Sequence, residues 1–549
     1  MSTMNKTAMT GAPDFHLTRL TASPLQASPV VTVMVAGALA LLCLLAYISG
    51  NKSLGPLGFG LNSILKPVLR RFRAWAYLVN GMAIIQDGFE KASQRDKECI
   101  GEPYEVLAPD GRYVFVASQK YVKELDSAPD TVLSLQAAAK QMLQPMYTMH
   151  AFNWFDRRGT EGVGFVKALR TMLTNNLPAI LPDLSAIIRA RFEELHQSHP
   201  KVKGVTQSPV YTMIVKLVVL SNAVSFFGKD LAKDEAFMES ALAYVEETLI
   251  CAEIVRLLPK FMAPLVGRVI GRRLKSQVVV YNTLLPVAEQ RCLERDLGNL
   301  GQKVPSHADC IQWIMETSPR AKPWTPMRIV HELMAIWFGS VHALSTTITF
   351  AVHDLCLHPE YVEPLRQELL AGYADFEKTG LGLPLLDSFI KESARITPVE
   401  AQSTRRSALQ PFTLSDGTKL NVGDWACTPV KAIMHDPALY PEPLQFNGFR
   451  FADPAVVKAA GGDFKTPQPK PSKLTDCDST YHVWGTGRMT CPGRYYAVAV
   501  MKVILGQVIM NYHCELLNKD ESRWLTWRST MLPKHSTKVI FTRRRDQDA

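Results

Sequence analysis

The sequence predicts a mainly α-helical fold with small β-sheets, preceded by one transmembrane helix. Three features predict it: a charge-free apolar run near the start, two hairpin signals far apart, and long amphipathic runs between them. At 549 residues, 47% hydrophobic and 20% charged, the chain is long enough to bury a large core.

The apolar run is VVTVMVAGALALLCLLAYI, residues 30–48. At about 1.5 Å per residue it nearly spans a hydrocarbon layer of roughly 30 Å. It is longer than a signal-peptide core and no small-residue cleavage site follows, so an uncleaved anchor is expected. Lys52, Lys66, Arg70, Arg71 and Arg73 follow it without an acid before Trp75. The positive-inside rule then puts the body of the protein in the cytosol. The expected organisation is a lumenal tail (1–29), an anchor (30–48), a basic membrane-proximal linker (49–75) and one catalytic domain (76–549).

Within that domain, YEVLAPDGRYVFVA reads as a hairpin around Asp110-Gly111, and FTLSDGTKLNV repeats the device around Asp416-Gly417. The segments between are mostly helical, so a small sheet divided between early and late chain is expected. TPMRIVHELMAIWFGSVHALSTTITFAVHDLCLHPE reads as one long helix, with Thr325 as N-cap, Pro326 in the first turn and Pro359 past the end. The apolar stretches SLQAAAKQMLQPMYTMHAF and IVRLLPKFMAPLVGRVI suit a substrate roof or plain core helices.

Composition narrows function. The net charge of +10 comes without the clustered Lys/Arg and aromatics of a nucleic-acid reader. The ten cysteines contain no C-x-x-C pair, against a zinc ribbon or thiol–disulfide site. One cysteine stands out, in HVWGTGRMTCPGRYYAVAVMK. Gly485 and Gly487 suit a turn with positive φ or the close approach of something flat. Pro492 suits a first helical position, which puts Cys491 where free N–H groups favour a thiolate. Gly493 removes a side chain beside it. Such a sulfur is a nucleophile or a metal ligand.

This segment resembles the haem-binding loop of the cytochrome P-450 family, F-x-x-G-x-R-x-C-x-G. Trp484 takes the Phe position and Gly487, Cys491 and Gly493 match, while Met489 falls where the family carries a basic residue and Arg488 stands one place earlier. KESAR supplies Glu392 and Arg395 for the family's E-x-x-R, and PEPLQFNGFRF offers Arg450 as third member of that cluster. HDPALYPEP makes His435 a propionate or scaffold contact, and VKALRTMLTNNL offers Arg170 for a propionate, against a plainer reading as a solvated arginine. Arg405 and Arg406 are weaker candidates. The trailing CPGR is similar to fungal members.

The resemblance implies the P-450 fold, haem b with Cys491 as axial iron ligand, and a monooxygenase using O2. Electrons would come from NADPH-cytochrome P-450 reductase, with cytochrome b5 as a further donor. The membrane of the endoplasmic reticulum and a lipophilic secondary metabolite, terpenoid first, are implied with it. The long helix resembles the family's central helix, whose acid–alcohol motif relays protons. Here the frame is Gly339-Ser340-Val341-His342-Ala343-Leu344: His342 holds the acid position and Ala343 replaces the threonine. Ser340, Ser345 and Thr346 are nearby hydroxyls, and Ser345 or a water is expected in the relay, although His342 also suits a core histidine. The missing alcohol keeps open a haem-thiolate isomerase or dehydratase. A haem-free membrane-anchored binding protein is a further alternative.

Overall fold

The computed structural model describes residues 58–95, 101–155, 164–202, 205–319, 323–461, 464–465 and 470–544. The expected anchor at 30–48 lies outside them. The chain divides after Arg73. Part of the expected linker is helical: helix Gly58–Arg95 starts inside it and is interrupted at Asn80, whose φ is −122° and ψ 18°.

The expected long helix is Pro326–Leu357, 32 residues. Thr325 Oγ1 accepts from the Arg328 N–H at 3.3 Å, and Pro326 stands in the first turn where its missing N–H costs nothing. Its apolar residues run all round rather than along one stripe, so the domain buries it on most sides. Helix Val210–Phe227 is equally apolar and mostly buried, and packs along it. Trp337 seals this junction: its indole donates to the Ala241 carbonyl at 2.9 Å, and its ring lies 4.5 Å from that of Phe227. Helices Leu177–Gln197, Lys275–Asn299 and Arg494–Asn511 complete the layers around it.

The main sheet is assembled from both ends of the chain, in the order Tyr104–Ala108, Gly111–Phe115, Trp425–Thr428, Ser403–Ala408, Leu133–Ser134. The first two strands form the expected hairpin, closing at Ala108 opposite Gly111. Trp425–Thr428 adds parallel to it, with Trp425 opposite Tyr113 and their rings stacked 5.0 Å apart. The second expected hairpin is present but separate. Phe412–Thr413 and Lys419–Leu420 form their own two-stranded ladder, with Gly417 at φ +91° in the turn.

The two apolar roof segments meet. A Cβ on Gly267 would lie 2.9 Å from the Tyr147 ring, and one on Gly271 would lie 2.6 Å from the Tyr147 carbonyl oxygen. These glycines let helix Ala263–Gly271 close onto Pro145–Thr148. The outer side of this junction is apolar: Phe261 is 82% and Leu265 71% exposed.

Candidate active site

Glu392 and Arg395 sit one turn apart on helix Pro384–Ile396, fully buried. Arg395 grips the carboxylate with two hydrogen bonds, of 2.7 and 2.9 Å. Arg450 Nε reaches both carboxylate oxygens at 3.0 Å, and the Asn447 N–H adds a fourth donor at 3.0 Å. Further guanidinium hydrogens go to carbonyls of Met434 and Pro443 from Arg395, and of Pro441, Glu442 and Gln445 from Arg450. A buried charge cluster is tolerable only when satisfied in this way. It pins residues 434–450, the stretch leading towards the cysteine loop. His435 belongs to the same scaffold: its Nε2 lies 3.2 Å from the carbonyls of Arg395 and Ile396, and burial lowers its pKa to about 4.

In the cysteine loop Gly485 and Gly487 both have positive φ, +79° and +56°. Gly487 is doubly constrained, since a Cβ there would lie 2.6 Å from the Asp126 carboxylate carbon. Asp126 also accepts from Thr486 Oγ1 at 2.9 Å and pairs with Arg406 at 3.3 Å, tying the loop to the early chain. The turn closes through the Cys491 N–H, which donates to the Trp484 carbonyl at 2.8 Å, and the Trp484 indole donates to Leu474 O at 2.7 Å.

The surroundings of the sulfur suit a metal ligand. Burial pushes the Cys491 thiol up, against the Gly493 N–H, Arg494 and Arg170, which favour the thiolate. Pro492 does not open the helix as expected: Gly493 is the N-cap and the helix begins at Arg494, so Cys491 lies two residues before the cap and is met by the Gly493 N–H alone of the helix-end donors. With burial the largest influence, a coordinated cation is what would hold a thiolate here. Among the described residues no three His, Cys, Asp or Glu side chains gather to bind a metal. A lone sulfur therefore suits an ion that brings its other ligands with it. There is room beside it: a Cβ on Gly493 meets nothing within 4 Å. Arg170, exposed, lies on a π-helical stretch, Ala168–Leu173, close enough to act on the sulfur. Arg488 is placed otherwise than expected. The backbone at Gly487 turns it outward, 54% exposed, to the Ala128 carbonyl at 2.8 Å and Asp130 at 3.6 Å.

The central helix carries a second open stretch. Gly339 and Ala343, one turn apart, are exposed in the middle of this mostly buried helix, and a Cβ on Gly339 meets nothing within 4 Å. Helix Arg494–Asn511, which follows the cysteine, packs on the central helix and is tied to this stretch. Tyr496 Oη donates to Asn222 Oδ1 at 3.1 Å, and Asn222 Nδ2 donates to the Ser340 carbonyl at 3.1 Å. Ser345 is not on the open face. Two residues beyond Ala343 it points about 200° round the helix, fully buried, donating to Val341 O at 2.8 Å. His342 is brought to the Tyr211 phenol, Nδ1 to Oη 3.3 Å, and burial lowers its pKa to about 4, so it is neutral near pH 7.

The cytochrome P450 family model matches residues 161–541. The chain belongs to the cytochrome P450 family. Among curated proteins, this P450 is 28% identical over 485 residues to cytochrome P450 monooxygenase olcJ of Penicillium canescens, covering 86% of this chain and 84% of that protein. It is 27% identical over 473 residues to cytochrome P450 monooxygenase paxP of Penicillium paxilli, covering 84% and 85%. The retinoic acid-bound cyanobacterial CYP120A1 superposes with a TM-score of 0.61 at 16% identity, over 85% of this chain and 96% of that one, which shows the shared fold. The protein is a cytochrome P450 monooxygenase, and its family implies a haem-thiolate cofactor and a redox partner.

Tyr211, Asn222, Tyr496 and Asp126 escaped sequence reading. Each acts across more than a hundred residues of chain, where no local spacing signals it.

Proposed function

We propose that this monooxygenase holds haem b through Cys491 and oxidises a lipophilic secondary metabolite, a terpenoid skeleton being the first candidate. The observation that carries the haem assignment is the half-buried Cys491 sulfur beside Gly493, where an added side chain would enter open space. The bound haem supplies oxygen activation, with one oxygen atom entering the substrate and the other leaving as water. Gly487 and Asp126 hold the loop, Gly493 leaves room for a flat group, and Arg170 offers a positive charge to a carboxylate edge. On the central helix Gly339 and Ala343 leave the open stretch, and neutral His342 can accept a proton at one ring nitrogen while releasing one at the other.

Electrons come from NADPH-cytochrome P450 reductase, with cytochrome b5 as a further donor, since the sequence carries no G-x-G-x-x-G nucleotide motif of its own. The apolar run at 30–48 and the exposed Phe261 and Leu265 support a single-pass protein of the endoplasmic reticulum, its domain in the cytosol with the roof against the lipid. The fungal relatives support secondary metabolism.

Co-expression with a reductase, followed by untargeted product analysis against candidate terpenes, tests this reading. An NADPH-dependent product carrying one atom from labelled O2 is expected. Cys491→Ser should abolish both that product and the thiolate-type carbon monoxide spectrum. Conversion without NADPH would transfer the protein to the isomerase or dehydratase class.

A further inference from the structure

The open stretch of the central helix lacks a hydroxyl at both of its exposed positions, Gly339 and Ala343. Between residues 340 and 349 the helix carries five hydroxyls, and four are spent on its own backbone. Ser340 donates to Trp337 O at 2.9 Å, Ser345 to Val341 O at 2.8 Å, Thr347 to Ala343 O at 2.9 Å and Thr349 to Ser345 O at 2.7 Å. Such back-bonds leave a hydroxyl proton little freedom to move. Thr346 is the exception: it is fully buried and its Oγ1 makes no such back-bond, lying instead beside the Tyr211 phenol. Three residues past Ala343 and four past His342, it shares their side of the helix.

What links Thr346 to His342 comes from another helix. Tyr211, in the first turn of Val210–Phe227, places its Oη 3.3 Å from His342 Nδ1. Burial raises the phenol pKa, and the Thr346 hydroxyl, standing beside it, works the other way. The tyrosine ring meets His535 edge-on at 5.0 Å, which holds it in place. On the far side of the imidazole, His342 Nε2 is buried without a partner among the described residues. A phenol can accept from Thr346 and donate to Nδ1 at once, leaving the proton of the neutral imidazole on Nε2.

We propose that Tyr211 is a positioning residue for the monooxygenase reaction: its phenol joins Thr346 to His342, and this path across two helices takes the place of the hydroxyl that Ala343 lacks. The inference rests on the haem-monooxygenase reading above.

The test uses the full-length protein with its reductase and compares Tyr211→Phe and Thr346→Val with the parent. Folding and the carbon monoxide spectrum should be unchanged in both. The fraction of NADPH electrons ending in product should fall about three- to tenfold, the worth of one hydrogen bond. The double variant should lose little more than the worse single one, because both act on one path. A second readout is independent of turnover: 15N resonances of His342 in the ferrous carbon monoxide complex, assigned with His342→Gln. In the parent Nδ1 is the hydrogen-bonded acceptor; in Tyr211→Phe that signal should shift to an unbonded value. If the parent turns over and Tyr211→Phe matches its coupling within about twofold, or the His342 resonances do not move, the inference falls and the monooxygenase reading stands. If the parent shows no NADPH-dependent product, that reading falls and takes the role of Tyr211 with it.

Discussion

Replacing Glu392 by glutamine changes almost no volume and removes one charge, which isolates the electrostatics of the buried cluster. The carboxylate accepts four contacts from Arg395 and Arg450 and one from the Asn447 N–H, all between 2.7 and 3.0 Å. A carboxamide keeps one acceptor oxygen and turns an NH2 group towards donors, so two guanidinium ions are left buried with no counter-charge. Breaking a buried pair in this way costs about 3–5 kcal/mol. Against a total stability of about 5–15 kcal/mol, that is a large share. At 1.4 kcal/mol per tenfold, a loss of about 4 kcal/mol lowers the folding constant by roughly a thousandfold. Urea unfolding, followed by tryptophan fluorescence and by the carbon monoxide spectrum, measures it. The two signals should fall at the same, lower urea concentration. An internal control is available in the exposed Lys91–Asp87 pair, 66% and 60% exposed, where Asp87→Asn should cost less than about 1 kcal/mol. A Glu392→Gln protein no less stable than the Asp87→Asn control would refute the reasoning.

Gly487→Ala and Gly493→Ala should separate folding from cofactor retention. The first meets the Asp126 carboxylate at positive φ and should lower the unfolding midpoint; the second meets no protein atom and should leave folding within about 1 kcal/mol while reducing haem content, measured per mole of protein. Asp354 is buried and its pKa is raised from 3.8 to about 7, with Ser393 at 2.6 Å opposing the shift. Its protonated form is the one the fold favours, so its contribution is present below pH 4 and lost as pH rises to 7, by up to about 4 kcal/mol. Asp354→Asn should flatten the stability–pH curve across that window. Finally, Phe261→Ser with Leu265→Ser should weaken vesicle binding of a chain lacking residues 1–57 without shifting its unfolding midpoint, measured by flotation.

What could be read in advance depended on how far apart the partners lie in sequence. Glu392 and Arg395 share a helix face by their spacing, and the cysteine loop declares itself through its glycines and proline. The central helix carries its own start and stop signals. Ser345 lies off the open side, as helix geometry alone implies: six residues from Gly339 is about 240° around the axis. Arg488 was not legible, because the positive φ at its glycine neighbour redirects it and only coordinates show where. Tyr211, 131 residues from His342, leaves no trace in local pattern. The expected basic linker gave no helix signal, yet helix Gly58–Arg95 begins within it.

The tether between Asp126 and Thr486 spans 360 positions. The proposed haem cradle thus depends on a carboxylate made early in translation and a turn made almost last. A nascent chain cannot close that cradle until the ribosome has released residues beyond Cys491. On the haem reading proposed above, pigment loading is a late event in biosynthesis, and a chain stopped before Thr486 should emerge colourless however well its helices have formed.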